Sequence, residues 1–168
     1  MADVVVETKG EVTWIRLNRP ERMNSYDAEM ARELIAAVRG AADSGVIVIT
    51  GTGRAFCAGG YLANLQDPDA NALRSMFYGS LDVYEAIRTS PRPVIAAVNG
   101  AAAGGGNELV VACDLAIAVE SATFGQTGVR IGSAPVLGGT NFLSLTIGEK
   151  RAKEVAFMCR RYKARDAL

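Results

Sequence analysis

The run Val46-Ile47-Val48-Ile49-Thr50 is apolar on both faces of any strand it forms, and such a strand must be covered on each side. PVIAAV (93–98) and DLAIAV (114–119) repeat the pattern, so all three read as buried strands with parallel neighbours. Helical spacing fills the gaps between them. After Asp27, a candidate N-cap, Met30, Leu34, Ile35 and Val38 share one stripe. A second helix is expected over 72–88, stopped by Pro91 and Pro93. Upstream, Val4-Val5-Val6 and the stretch 12–17 read as two short strands joined at Lys9-Gly10. Strand, glycine-rich turn, helix and strand recur, which argues for α/β with parallel pairing. No repeat of fixed period and no low-complexity linker interrupts the chain, so a single domain is expected.

Composition narrows the chemistry. The 168 residues include 18 basic and 18 acidic side chains, and this balance points to neither nucleic acid nor an anionic membrane. There is no histidine, which removes Ser-His and Cys-His nucleophile pairs and most zinc sites. Carboxylates, backbone amides, tyrosines or a bound group must carry any catalysis. Cys57, Cys113 and Cys159 are odd in number and sit in apolar contexts, so buried thiols in a reducing compartment are expected. MADVVVETKGEV lacks the order of a signal peptide and no apolar run has the length of a membrane span. The chain reads as cytoplasmic.

Two turns follow buried strands. The first is Ala55-Phe56-Cys57-Ala58-Gly59-Gly60-Tyr61; the second runs from Asn99 through Gly104-Gly105-Gly106 to Asn107-Glu108. Consecutive glycines are entropically costly and are tolerated where a backbone approaches something closely or takes positive φ. In the second turn they open the helix ELVVACD, whose first N–H groups suit a phosphate or a developing oxyanion. The Lys-Ser/Thr of a P-loop is absent, as is the G-x-G-x-x-G spacing, and Glu108 would repel phosphate. A carbonyl that becomes an oxyanion is the better guest, although tight strand–helix packing explains the glycines equally well. Glu108 is either a solvated first-turn acid or, because LVVAC after it is apolar nearly all round, a buried carboxylate with a task. Lying three residues beyond Gly105, it shares that residue's helical face.

Four segments together, LNRPERMNS (17–25), ITGTGRAFCAGG (49–60), PVIAAVNGAAAGGGNELVVACDLAIA (93–118) and SATFGQTGVRIG (121–132), resemble the enoyl-CoA hydratase/isomerase (crotonase) superfamily. The resemblance implies a crotonase (ClpP-like) spiral of repeated ββα units, here an acyl-CoA-binding core over 1–168 with the C-terminal helical part missing. By the same resemblance, the N–H groups of Gly60 and Gly105 are the oxyanion-hole donors and Glu108 is the first catalytic glutamate. Ala58 and its neighbours line the stretch that holds coenzyme A, and Arg22 sits near the diphosphate-facing basic position. Tyr61 replaces a commonly acidic residue, with its role open. An acyl-CoA thioester substrate, no separate cofactor, and a homotrimer or dimer of trimers are implied.

The departure is Thr127-Gly128, where hydratases usually have Pro-Glu and their second carboxylate. FGQTGVRIGS and the residues after it look more like the dihydroxynaphthoyl-CoA synthase and 2-ketocyclohexanecarboxyl-CoA hydrolase branch, in which a bicarbonate near Gly128 becomes possible. Glu108 is unlike that branch, and Ala134-Pro135 stands where its aspartate would be expected. Isomerisation, single-group hydration and C–C hydrolysis stay open, beside a non-catalytic acyl-CoA binder or assembly member. Of the remaining candidates, Met76-Phe77-Tyr78 reads as core or pocket wall, with Tyr78 able to line an acyl pocket built from 62–76. Lys150, Arg151 and Lys153 read as a solvated helix face, and Cys57 as packing.

Overall fold

A computed structural model describes residues 2–61, 69–135 and 137–167. Strands β1 (Val4–Lys9) and β2 (Val12–Leu17) form an antiparallel hairpin that turns at Gly10, where φ is +60°. Helix α1 (Ala28–Gly40) follows, its first amides bonded to Asp27 Oδ1 at 3.1 Å. It buries Met30, Leu34 and Val38 against the hairpin and against α2.

The rest of the core is a ββα theme. β3 (Val46–Gly51) and β4 (Ala55–Cys57) precede α2 (Ala70–Arg88). β5 (Val94–Val98) and β6 (Ala101–Ala103) precede α3 (Gly105–Ala112), and β7 (Leu115–Ala118) and β8 (Thr123–Gly125) come next. Each unit gives its first strand to a five-stranded sheet, order β1-β2-β3-β5-β7, and its second to a smaller sheet, order β4-β6-β8-β9. β3, β5 and β7 run parallel, as do β4, β6 and β8, so successive units advance in one direction like a spiral. Helices α4 (Leu143–Ile147) and α5 (Glu149–Met158) and the short strand β9 (Tyr162–Lys163) complete the described chain.

This topology positions the turns. Adjacent parallel strands end on the same side, so the glycine-rich segments after β4 and β6 emerge next to each other. The crossings between sheets are tight. A Cβ on Gly51 would lie 2.3 Å from Ala55 O, and one on Gly100 would lie 2.1 Å from Arg54 O. Asn24, fully buried, donates to Thr52 O and Ala55 O, and Asn99 donates to Gly53 O and Ala55 O. Two asparagine amides therefore hold the β3–β4 crossing.

One expectation needs correction. β7 is a strand paired in parallel with β5, but it is not buried: Leu115 and Ile117 are each 63 % exposed. β7 is the last strand of its sheet, bonded on the β5 side only. Apolar patterning states which faces suit a cover, not that the cover is present. The 72–88 helix begins earlier, at Ala70, and Lys150, Arg151 and Lys153 are exposed on α5.

Arg19, 7 % exposed, fastens the N-terminal strand to the start of α1 by ion pairs to Asp3 and Asp27. The bond from Arg19 holds the Asp3 carboxyl below its ordinary value of 3.8. Burial opposes ionisation of Asp27, but Arg19 and the amides of Met30 and Glu29 outweigh it and leave that carboxyl lowered too. Carboxyls depressed on folding add stability that is complete above their unfolded value and is lost as pH falls through the folded one. Arg19→Met is expected to cost about 1.5–3 kcal/mol at pH 7. The gap to the wild type should shrink below about pH 4. Urea unfolding of both proteins at pH 7 and pH 3 checks this, and an equal gap at both would refute it.

Candidate active site

The segment Met23–Tyr26 acts as a template for the first turn. Met23 O accepts from Ala58 N at 3.0 Å, Asn24 O from Cys57 Sγ at 3.1 Å, and Tyr26 O from Tyr61 N at 2.9 Å; Tyr26 N donates to Gly59 O at 2.9 Å. Tyr26 and Gly60 thus form a parallel bridge. In such a bridge the two residues flanking Gly60 face the partner, so the N–H of Gly60 itself points the other way. Gly59 makes this path possible with φ +90°, and its chain lies against the second turn: a Cβ there would stand 2.9 Å from Gly105 N.

The second turn opens α3. Gly104, at φ +55°, donates its N–H to Gly125 O at 2.9 Å, and Gly105 is the first helical residue, whose N–H has no intrahelical acceptor. Among the described residues, neither Gly60 N nor Gly105 N has a hydrogen-bond acceptor. Both glycines line one cavity of about 130 Å³.

Glu108 lines the same cavity and is only 3 % exposed. Its Oε1 accepts three backbone N–H groups, from Leu137 at 3.2 Å, Gly138 at 2.9 Å and Gly139 at 2.8 Å. No described residue bonds Oε2. Gln126, 2 % exposed, borders the cavity as well, and its Nε2 is buried without an acceptor among the described residues. Beside Gly105 stand two buried phenols, Tyr26 and Tyr84, and burial pushes both hydroxyls above the usual tyrosine range, so they stay protonated donors.

A family model described as enoyl-CoA hydratase/isomerase matches residues 7–168. The chain belongs to the enoyl-CoA hydratase/isomerase family. Solved members of similar shape include an enoyl-CoA hydratase from Bacillus anthracis, 36 % identical with a TM-score of 0.94, aligned over 99 % of this chain and 66 % of that one. An enoyl-CoA hydratase subunit from Geobacillus kaustophilus is 37 % identical, with a TM-score of 0.91 over 99 % and 65 %. Pseudomonas aeruginosa DspI is 32 % identical, with a TM-score of 0.95 over 100 % and 70 %. The chain therefore spans about two thirds of the length of these relatives. Their fold is the crotonase fold, in agreement with the ββα spiral.

Of the residues that the resemblance singled out, Ala58, Gly60, Gly105 and Glu108 line the cavity together. Arg22 and Tyr61 do not line it. Arg22 is exposed, with its guanidinium 4.5 Å from the centroid of the Tyr61 ring, just beyond Gly60. Phe77 borders the cavity, whereas Tyr78 is 61 % exposed and does not line it. The acyl-pocket segment 62–68 and the side chain of Met76 lie outside the described residues. Cys57 is packing, as expected; burial pushes its thiol up to about 12. Tyr26, Tyr84, Gln126 and the amides of 137–139 carry no sequence motif of their own, and only Gln126 falls inside a quoted segment, FGQTG. No helix among the described residues is long and apolar enough to cross a membrane.

Gly106 of the second turn must be glycine, whereas Gly79 need not be. A Cβ on Gly106 would lie 2.0 Å from Cys57 O and 2.6 Å from Cys57 C, both backbone atoms that cannot turn aside. Gly79, in α2, would meet only Ala31 Cβ, at 3.8 Å. Gly106→Ala is expected to lower stability by about 1–3 kcal/mol or more. Gly79→Ala should raise it by up to about 1 kcal/mol. Thermal melts of the two variants should move in opposite directions.

Proposed function

We propose that this chain binds an acyl-CoA thioester with the carbonyl oxygen between Gly60 N and Gly105 N, and that Glu108 moves a proton at Cα or Cβ of the acyl group. The observation that carries this reading is the buried Glu108 carboxylate, anchored through Oε1 in the cavity that both free amides line. Negative charge that develops on the thioester oxygen would meet two fixed amide dipoles, one of them at the positive end of α3. The enolate so formed is shared by double-bond isomerisation, hydration and C–C cleavage of a 3-oxo thioester.

With Glu108 the one carboxylate among the described lining residues, reactions in which one group both removes and returns the proton are favoured. Gly128 supplies no second acid, and Gln126, Thr127 and Ser133 are the polar side chains nearby on the cavity wall. A bicarbonate at Gly128 does not fit well. The described lining residues include no cation, Glu108 shares the space, and Ser133 O lies 3.0 Å from where a Gly128 Cβ would stand. Arg22, stacked on Tyr61 at the surface near Gly60, would meet a phosphate of coenzyme A in this reading.

The second reading, a non-catalytic acyl-CoA binder, draws on Gly128 alone. Deuterium exchange separates the two: incubation with enoyl- and 3-oxoacyl-CoA esters in D₂O should label Cα or Cγ, which requires enolate formation. Glu108→Gln preserves the acceptor for the three amides but cannot take a proton. It is expected to slow exchange and turnover by about 10²–10⁴-fold while thioester binding stays close to that of the wild type. Unchanged exchange in the variant would remove Glu108 from the mechanism.

A further inference from the structure

Tyr26 lies against both glycine turns at once. Its main chain bridges Gly60, through Tyr26 N to Gly59 O and Tyr61 N to Tyr26 O, each 2.9 Å. Its side chain reaches across to the other donor: the hydroxyl lies 2.5 Å, and Cζ 3.3 Å, from where a Cβ on Gly105 would stand. Tyr84 completes the link. Its hydroxyl donates to Gly105 O at 2.8 Å and lies 3.5 Å from the Tyr26 hydroxyl, which is also hydrogen-bonded to Ser80. Each phenol has one proton. The proton of Tyr84 goes to Gly105 O, and the Tyr26 hydroxyl, 3.5 Å away, stands beside that bond.

Resting on the reading of Gly60 and Gly105 as donors to one oxygen, we infer that Tyr26 and Tyr84 are positioning residues that fix the separation and aim of those two amides. Neither hydroxyl need touch substrate. The backbone of Tyr26 sets Gly60, while the two hydroxyls set the residue whose N–H is the second donor. A misplacement of either amide by a fraction of an ångström weakens the bond to the oxyanion more than the bond to the neutral carbonyl, so the effect belongs in kcat.

The test uses Tyr84→Phe and Tyr26→Phe, which keep the rings and remove one hydroxyl each, with cinnamoyl-CoA as the probe. Its conjugated carbonyl absorbs further to the red when hydrogen bonds polarise it. The wild type should bind it with a red shift. Each variant should bind it with similar affinity but a smaller shift, and kcat on a turned-over thioester should fall about 10-fold with KM within about twofold. That is less than the ~10²–10³ lost with a whole donor. If a variant fails to melt cooperatively, the other carries the test, since each removes a different link. A red shift and kcat equal to wild type in a folded variant would show that the hydroxyls only pack, and would overturn the inference. Binding without any shift in the wild type would overturn the two-amide site itself, and this inference with it.

Discussion

The site depends on one docking contact, the laying of Cys57–Tyr61 along Met23–Tyr26. Four hydrogen bonds in sequence fix the first turn as firmly as a strand in a sheet, though neither segment is a strand of length. Because the pairing consumes the polar groups on alternate residues, it dictates that the N–H of Gly60 faces outward. The template is itself tightly determined. Met23 and Asn24 hold left-handed φ values of 52° and 55°, and the Asn24 side chain accepts from Arg19 N while donating to two carbonyls of the β3–β4 crossing. Strain at those two residues is maintained by the bonds around them, as functional turns require.

The second constraint is the cost of a buried acid. Taking a carboxylate out of water costs several kcal/mol unless hydrogen bonds replace the lost solvent. Here three consecutive amides at 137–139 converge on one oxygen, a geometry open only to a backbone that comes very close. A Cβ on Gly139 would sit 3.2 Å from Glu108 Oε1 and 2.7 Å from Pro135 Cβ, which explains the glycine. The same bonds occupy Oε1 and leave Oε2 without a partner among the described residues. Burial and orientation therefore have one cause.

Much of this was legible in the residues. The stripe of Met30, Leu34 and Val38, the apolar runs of β3 and β5, and the glycine turns after them specify α/β units, and helical geometry alone places Glu108 on the face of Gly105. What escaped reading depends on long-range pairing. Tyr26 looks like any aromatic before a helix until the bridge to Gly60 is known. Gly138 and Gly139 look like a loose loop until Glu108 is found 30 residues away at their amides. The ββα repeat was invisible as a sequence period because its units conserve strand order rather than spacing. DLAIAV was misjudged because its composition describes a strand suited to cover, whereas the described chain leaves it at a sheet margin.

Gly128 looks at first like a lost acid, yet the surrounding loop has closed on it. Ser133 N donates to Gly128 O at 2.9 Å, and Ser133 O occupies the approach a side chain would take. A side chain at this position would press on Ser133 O, so the main chain there would have to give by a few tenths of an ångström. Among the described lining residues Glu108 is the acid, held by three amides on one oxygen, while the loop of residues 128–133 lies folded onto glycine.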